Sequence, residues 1–546
     1  MTRHRRLWGV VVGVALMGLG PSAHAAVARE TLDIIRRMPV QHQGRVKPFD
    51  SFAWETLQSI TGAAQWGRQD PVETVLSMLA DPDHWQAEPL IAVPFRPLRE
   101  ALGLGPKTSH VSYNDLVGTR KLMRMLPAIV QKQQREEKLS MLEQETMDAF
   151  ERFAALSSVF EHKLHVVPPA SSTEQVWVTI AETKDYPQER QQAFRSAWTA
   201  LATAVRDGQS AASISAAQQL VQTLRSANPA AAPPAWRLEL EVFYNHAAPF
   251  HIARWIYALA CLLLGVMVAK TDRRAWQLGM GVLAGACAIH AAGILTRVVL
   301  GGRPPVSNFY ETMLWLPFVG VVVAMIFEGV YRVGYFGFAA SVLAGITLLL
   351  ADHVPLDSSI TPVVAVLRSN LWLTIHVLTI VASYGALALA TVLAHVYAGL
   401  YLARRGTRDS FESLELFLYR TLQVGVVLLA AGIMLGAVWA NASWGRYWGW
   451  DPKETWALIT LLWFLAVLHG RFAGWITGIG VALSTIGGFF LLLMTYYGVS
   501  FYLVGLHSYA GGHAKPLPAL LIGYVIAEVT FLAIVGAAAL RSKRPA

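Results

Sequence analysis

The chain has 546 residues, 54% of them hydrophobic and only 15% charged, with a formal net charge of +9 at neutral pH. Soluble domains carry roughly a quarter charged residues, so the composition argues against a purely soluble protein. The charge is also unevenly placed. Residues 1–249 hold 26 Lys/Arg against 25 Asp/Glu, whereas residues 250–546 hold 19 against 11. The basic excess therefore lies between apolar segments, which suits the inward loops of a membrane protein and argues against nucleic-acid binding. The two cysteines, Cys261 and Cys287, sit in apolar stretches and no CxxC occurs. Dithiol exchange and cysteine-ligated zinc thus find no support.

In chain order, residues 1–25 read as a signal sequence or signal anchor. Arg3, Arg5 and Arg6 precede the apolar run Leu7–Gly20, and Ala23-His24-Ala25 is a small-x-small cleavage site. The next part of the chain is expected outside the cytoplasm. Residues 26–249 hold no apolar run of spanning length. Helical periodicity is clear over Lys132–His162 and Gln191–Ser226, Val176–Ile180 is strand-like, and the Pro- and Ala-rich segment Asn228–Ala235 reads as a linker. This is a mostly α extracytoplasmic domain without a catalytic constellation.

From His251 onward nine apolar runs recur, near 251–269, 276–297, 312–330, 336–351, 371–402, 420–440, 456–470, 475–497 and 517–540. Two of them, 336–351 and 456–470, fall short of the ~20 residues a spanning helix needs. With the first domain outside, the inward segments carry 12 of the 19 basic residues of this half, as the positive-inside rule requires. The expected fold is an all-α polytopic membrane protein, residues 250–546, preceded by the extracytoplasmic domain 26–249.

The outward segment between the sixth and seventh runs reads Trp439-Ala-Asn-Ala-Ser-Trp444-Gly445-Arg446-Tyr447-Trp448-Gly449-Trp450-Asp451-Pro452-Lys453-Glu454-Thr455-Trp456. Interfacial belts are rich in Trp and Tyr but do not require interleaved glycines and carboxylates. Flat rings with close backbone approach suit a large planar ligand. His376 and His507 fall near the same outward face on different segments, and two imidazoles converging from separate helices can hold a haem iron axially. A hydrogen bond to a neighbour is the plainer use of each, and His353 and His513 are rivals for the same role. His290 falls mid-membrane, where an ionisable side chain is costly and suggests function. His469 ends the seventh run at the inner face, before Gly470 and Arg471.

The pattern Trp444-Gly-x-x-Trp448-x-Trp450-Asp451-x-x-Glu454 resembles the WWD signature of haem-handling cytochrome c biogenesis proteins of the CcsA/ResC type, in system II. Gly302–Glu311, Trp372-Leu-x-x-His376 with Ser383-Tyr384, Leu468-His469-Gly470-Arg471 and Gly505-Leu506-His507-Ser508-Tyr509 resemble further segments of that family. The resemblance covers roughly residues 240–540. It implies that His376 and His507 ligate haem b at the outer face, against a surface of Trp444, Trp448, Trp450 and Asp451. It implies that His469 ligates haem during passage, opposite a histidine of a separate CcsB/ResB-like partner. The implied activity is haem delivery and attachment to an apocytochrome c CxxCH motif, as part of a holocytochrome c synthase in the bacterial cytoplasmic membrane. A quinol-oxidising subunit of the cytochrome b kind is the competing reading, but it calls for paired histidines within the bilayer and only His290 is central. A transporter or glycosyl-transfer enzyme has no use for the tryptophan segment.

Overall fold

The computed structural model describes residues 27–105, 107–135, 137–171, 176–353, 356–362, 371–507 and 518–542. The export segment and His513 lie outside them. Contacts divide the chain into two units, one of residues up to 42 with 46–242, the other of residues 43–45 with 243–546.

The first unit is mostly helical. Its main helices are Phe49–Thr61, Pro71–Ala80, Met141–Phe160, Gln188–Arg206 and Ser210–Ala227, with two small two-stranded sheets, Pro39–His42 with Arg45–Pro48 and Ile91–Ala92 with His110–Val111. Phe49, Leu57, Val75, Leu156, Phe194 and Leu220 lie in one apolar core. The periodic stretch 132–162 is two helices, because Ser140 and Glu143 form a reciprocal cap that starts a new one. A hydrogen bond from Lys132, then those from Ser140, pull the Glu143 carboxyl down to about 2. The strand-like run 176–180 forms a single bridge, Val167 to Val178, among the described residues.

The second unit contains nine helices long and apolar enough to cross a membrane among the described residues. In chain order they are α1 (Pro249–Lys270), α2 (Arg273–Gly301), α3 (Phe309–Tyr331), α4 (Tyr335–His353), α5 (Leu371–Leu402), α6 (Arg408–Trp444), α7 (Pro452–Phe472), α8 (Ile479–Tyr502) and α9 (Ala519–Ser542). The two short apolar runs are α4 and α7, which residues at the helix ends lengthen to 19 and 21 residues. Asp451 is the N-cap of α7 and Pro452 its first residue, a position where the missing N–H costs nothing.

Helix α5 is the centre of this unit, with 72% of its most apolar stretch buried, against 11% for α9. It packs on α3, α4, α6, α8 and α9. Between apolar helices, close backbone approach supplies the attraction that the hydrophobic effect cannot. A Cβ on Gly385 of α5 would collide with the Leu316 carbonyl of α3. Along the α5–α6 seam, a Cβ on Gly432 would meet Ile380 and one on Gly436 would meet the His376 ring at 2.6 Å. These glycines bring α6 against the start of α5, where His376 sits.

The α2–α3 connection is held by buried charge. Glu311 accepts from Arg297 Nη2 at 3.0 Å, Arg303 Nη1 at 2.7 Å and the Ser307 amide at 2.9 Å. Arg297 and Arg303 also donate to the carbonyls of Ser358, Ser359 and Thr361. Asn308 caps α3 through the Glu311 amide. The Gly302–Glu311 segment is therefore a clamp on the stretch of chain just past α4.

Candidate functional site

The tryptophan segment is more helical than its composition suggests. Nothing in Trp439-Ala-Asn-Ala-Ser-Trp444 breaks a helix, so α6 runs on to Trp444 and ends at Gly445, which adopts φ +72°. Only residues 445–451 connect α6 to α7. Glu454 accepts from the amides of Gly449 (2.8 Å) and Asp451 (3.1 Å), closing a capping box at the start of α7. Trp450 takes φ +58°, an uncommon conformation for a bulky side chain. It points into the open, 70% exposed.

Asp451 does more than cap. Besides the Lys453 amide, its carboxylate accepts from the Leu506 amide at 2.6 Å and from His507 Nδ1 at 2.7 Å. Gly505 makes this possible, since a Cβ there would collide with Asp451 Oδ1. His507 Nδ1 is therefore the donor, and its Nε2 points away from that carboxylate. His376 arrives at the same state by another route. Its Nδ1 is 2.7 Å from the Gly432 carbonyl, which can only accept, so Nδ1 is again the donor. No further hydrogen bond engages either Nε2 among the described residues. An outer partner that fixes the tautomer and aims the other nitrogen is what metal-ligating histidines have.

Both rings flank one indole. Trp439, 1% exposed, lies parallel to His376 at 6.3 Å and tilted to His507 at 6.1 Å between ring centres. Trp444 meets Trp439 at 4.6 Å and His507 at 5.3 Å, edge to face. Trp439 Nε1 is buried without a hydrogen-bond partner among the described residues. The structure thus gathers His376, His507, Trp444 and Asp451 around Trp439, which opens the tryptophan segment but was not among the expected site residues. It lies five residues before Trp444, about 7.5 Å back along α6. Trp448 and Trp450 pair with each other at 5.7 Å instead.

The remaining histidines lie elsewhere. His469 is 18 residues beyond Asp451, about 27 Å along α7 at 1.5 Å per residue. It is exposed, with Nδ1 on the Leu465 carbonyl of its own helix. His290 is fully buried against Phe250, Tyr257 and Phe318, with Nδ1 3.2 Å from the Tyr257 hydroxyl. No second histidine faces it among the described residues, so the arrangement a membrane cytochrome b needs is not found there. His353 gives Nδ1 to the Leu349 carbonyl.

Burial alone would raise the Asp451 carboxyl, but the hydrogen bond and charge of His507, with the Lys453 and Leu506 amides, hold it below its usual value. A depressed carboxyl stabilises the fold above the ordinary aspartate range and loses that contribution as pH falls through its own lower value. The Asp451–His507 link is therefore expected to persist from neutral pH through the ordinary aspartate range and to fail only below it, as the carboxyl itself takes up a proton. Asp451→Asn offers one acceptor where three donors converge. It should lower thermal stability by about 1–3 kcal/mol, measured by differential scanning fluorimetry on detergent-purified protein, and should remove the acid dependence.

Fold and site together define a polytopic helical membrane protein with a histidine–tryptophan cluster at one end of its central helices. Residues 306–507 match the family Cytochrome C assembly protein, a span that holds His376, the tryptophan segment, His469 and His507. The chain is 34% identical over 271 residues to cytochrome c biogenesis protein CcsA of Guillardia theta, covering 44% of this chain and 89% of that protein. It is 36% identical over 236 residues to CcsA of Mesostigma viride, covering 38% and 77%. Protein NrfI of Wolinella succinogenes is 30% identical over 505 residues, 87% of this chain. That coverage is more than residues 250–546 can fill, so the similarity extends into the first unit. The chain spans about half the length of NrfI, 54%. The protein belongs to the CcsA-type cytochrome c biogenesis family.

Proposed function

We propose that this protein holds haem at the outer face of the cytoplasmic membrane and presents it for covalent attachment to an apocytochrome c. The observation that carries the reading is the matched state of His376 and His507, each with Nδ1 anchored and Nε2 aimed away from its anchor, beside the same buried indole. Imidazoles so fixed suit axial ligation of a haem iron. The surrounding Trp439 and Trp444 rings offer the flat apolar surface a porphyrin needs, and Trp448 and Trp450 follow in the α6–α7 connection.

Attachment adds each thiol of a substrate CxxCH motif across a haem vinyl group. A carbon–sulfur bond forms and the thiol proton goes to the neighbouring carbon, so no oxidant is consumed. Cys261 and Cys287 lie within α1 and α2 and take no part. This chain's share is to orient the haem with His376 and His507 and to shield it with tryptophan until the substrate histidine replaces one ligand. His469, exposed on α7 with only one ring nitrogen engaged by its own helix, suits a second ligation point near the inner face, completed by a CcsB-like membrane partner. The haem here is cargo, haem b before attachment.

The test is the absorbance spectrum of mildly purified protein. The wild type should show bis-imidazole haem bands. His469→Ala should alter the haem content without changing those bands, whereas His376→Ala or His507→Ala should shift them. Wild-type protein without haem absorbance, or variants indistinguishable from it, would overturn the reading.

A further inference from the structure

We infer that the cluster contains a carboxylate-binding subsite in which Lys453 supplies the cation and Trp439 Nε1 a neutral donor, taking the propionate edge of the haem. The inference rests on the proposed haem site and adds how its acidic side is recognised.

Lys453 is in an unfavourable place for a lysine. It is the second residue of α7, at the positive end of the helix dipole, where cations are disfavoured. Its ammonium donates to two neutral oxygens, the Tyr496 carbonyl at 3.3 Å and Ser500 Oγ at 3.0 Å. Among the described residues it makes no ion pair. Asp451 is the carboxylate whose charge reaches it, yet that carboxylate is already shared among the Leu506 and Lys453 amides and His507. The positive end of α7 and an ammonium thus add rather than cancel.

One of the two acceptors of the Lys453 ammonium lies on a local distortion of α8. Residues Met494–Gly498 of α8 form a π-helical turn, a rare feature found mostly at functional sites, and its Tyr496 carbonyl is the one Lys453 reaches. Tyr496 is itself fixed by stacking on Phe309 at 4.7 Å and by a 2.8 Å hydrogen bond with Thr312. The Lys453 amide and His507 Nδ1 share one acceptor, Asp451 Oδ2, at 3.0 and 2.7 Å, so the residue that carries the ammonium adjoins the histidine cluster.

A second, separate observation points to an acceptor arriving from outside the chain. Trp439 Nε1 is the polar atom of the buried ring that both histidines flank, and it is unpaired among the described residues. Buried donors are nearly always satisfied. Haem offers two acidic side chains on one edge, which match one charged and one neutral donor. That edge faces away from the vinyl groups that must meet the substrate.

The experiment compares haem with haem dimethyl ester, which has the same ring and vinyl groups but no acidic charge. Full-length protein in nanodiscs, stripped of haem, is titrated with each, as wild type, Lys453→Gln, Lys453→Arg and Trp439→Phe. Wild type should prefer haem by about tenfold or more, as expected for a charge-assisted contact. Lys453→Gln should bring haem down to the ester's affinity without altering ester binding or the bis-imidazole spectrum. Lys453→Arg should keep the preference, and Trp439→Phe should lose part of it. Equal wild-type affinity for both ligands, an undiminished preference in Lys453→Gln, or an equal loss for both ligands would overturn the subsite while leaving the histidine site standing. Wild type binding neither ligand would overturn both.

Discussion

Replacing both His376 and His507 by Ala is expected to cut haem retention by more than about a hundredfold, beyond the 10–100-fold that loss of an outer-shell partner brings. Holocytochrome formation should fall with it. The two single variants should differ in how they are rescued. Free imidazole should restore haem binding in each, because the deleted ring leaves a space of its own size beside Trp439. The restored His376→Ala protein should still respond to Asp451→Asn, since that carboxylate holds the remaining ligand, His507. The restored His507→Ala protein should not. These outcomes are read from Soret and α-band positions with pyridine haemochrome quantitation. Full haem content with unchanged bands in the double variant would refute the assignment.

Glu311→Ala is expected to be the most damaging single change to the fold. Removing one member of a buried ionic group costs about 3–5 kcal/mol because the opposite charge is left uncompensated. Here two guanidiniums are left. Arg297 and Arg303 have side chains 3% and 8% exposed and both pair with Glu311 at 2%. The same change frees the Ser307 amide and loosens the hold on Ser358–Thr361. The result should be a large drop in thermal stability and membrane yield, with partial recovery when Arg303 is also replaced by Met. Wild-type stability in Glu311→Ala would show that the group contributes nothing.

Much of this was legible in the sequence for simple reasons. A spanning helix needs about twenty apolar residues whatever its neighbours, so most of α1 to α9 announce themselves by length, and only the short apolar runs of α4 and α7 do not. The segment at 444–454 was visible because Gly, Trp and Asp at those spacings serve no lipid belt. The site's assembly was less legible. Trp439 looks like one interfacial residue among many until α6 is seen to continue past it, and Gly432 gives no sign in sequence that its carbonyl anchors a histidine. Lys453 is hidden for a similar reason, since only the π turn 43 residues later reveals where its ammonium goes. In the first unit, periodicity located the helices around 141–160 and 188–227 but missed that Ser140 and Glu143 begin a new one.

The two anchors of the histidines also differ mechanically. His376 rides on a packed transmembrane helix and is tied to the backbone of another, across a seam that glycines hold closed. His507 sits past the end of α8, on a short turn tied down through the side chain of a single aspartate. The cluster therefore has one fixed jaw and one hinged jaw. Its grip loosens wherever Asp451 lets go, and the fixed side keeps its place in the bundle while it does.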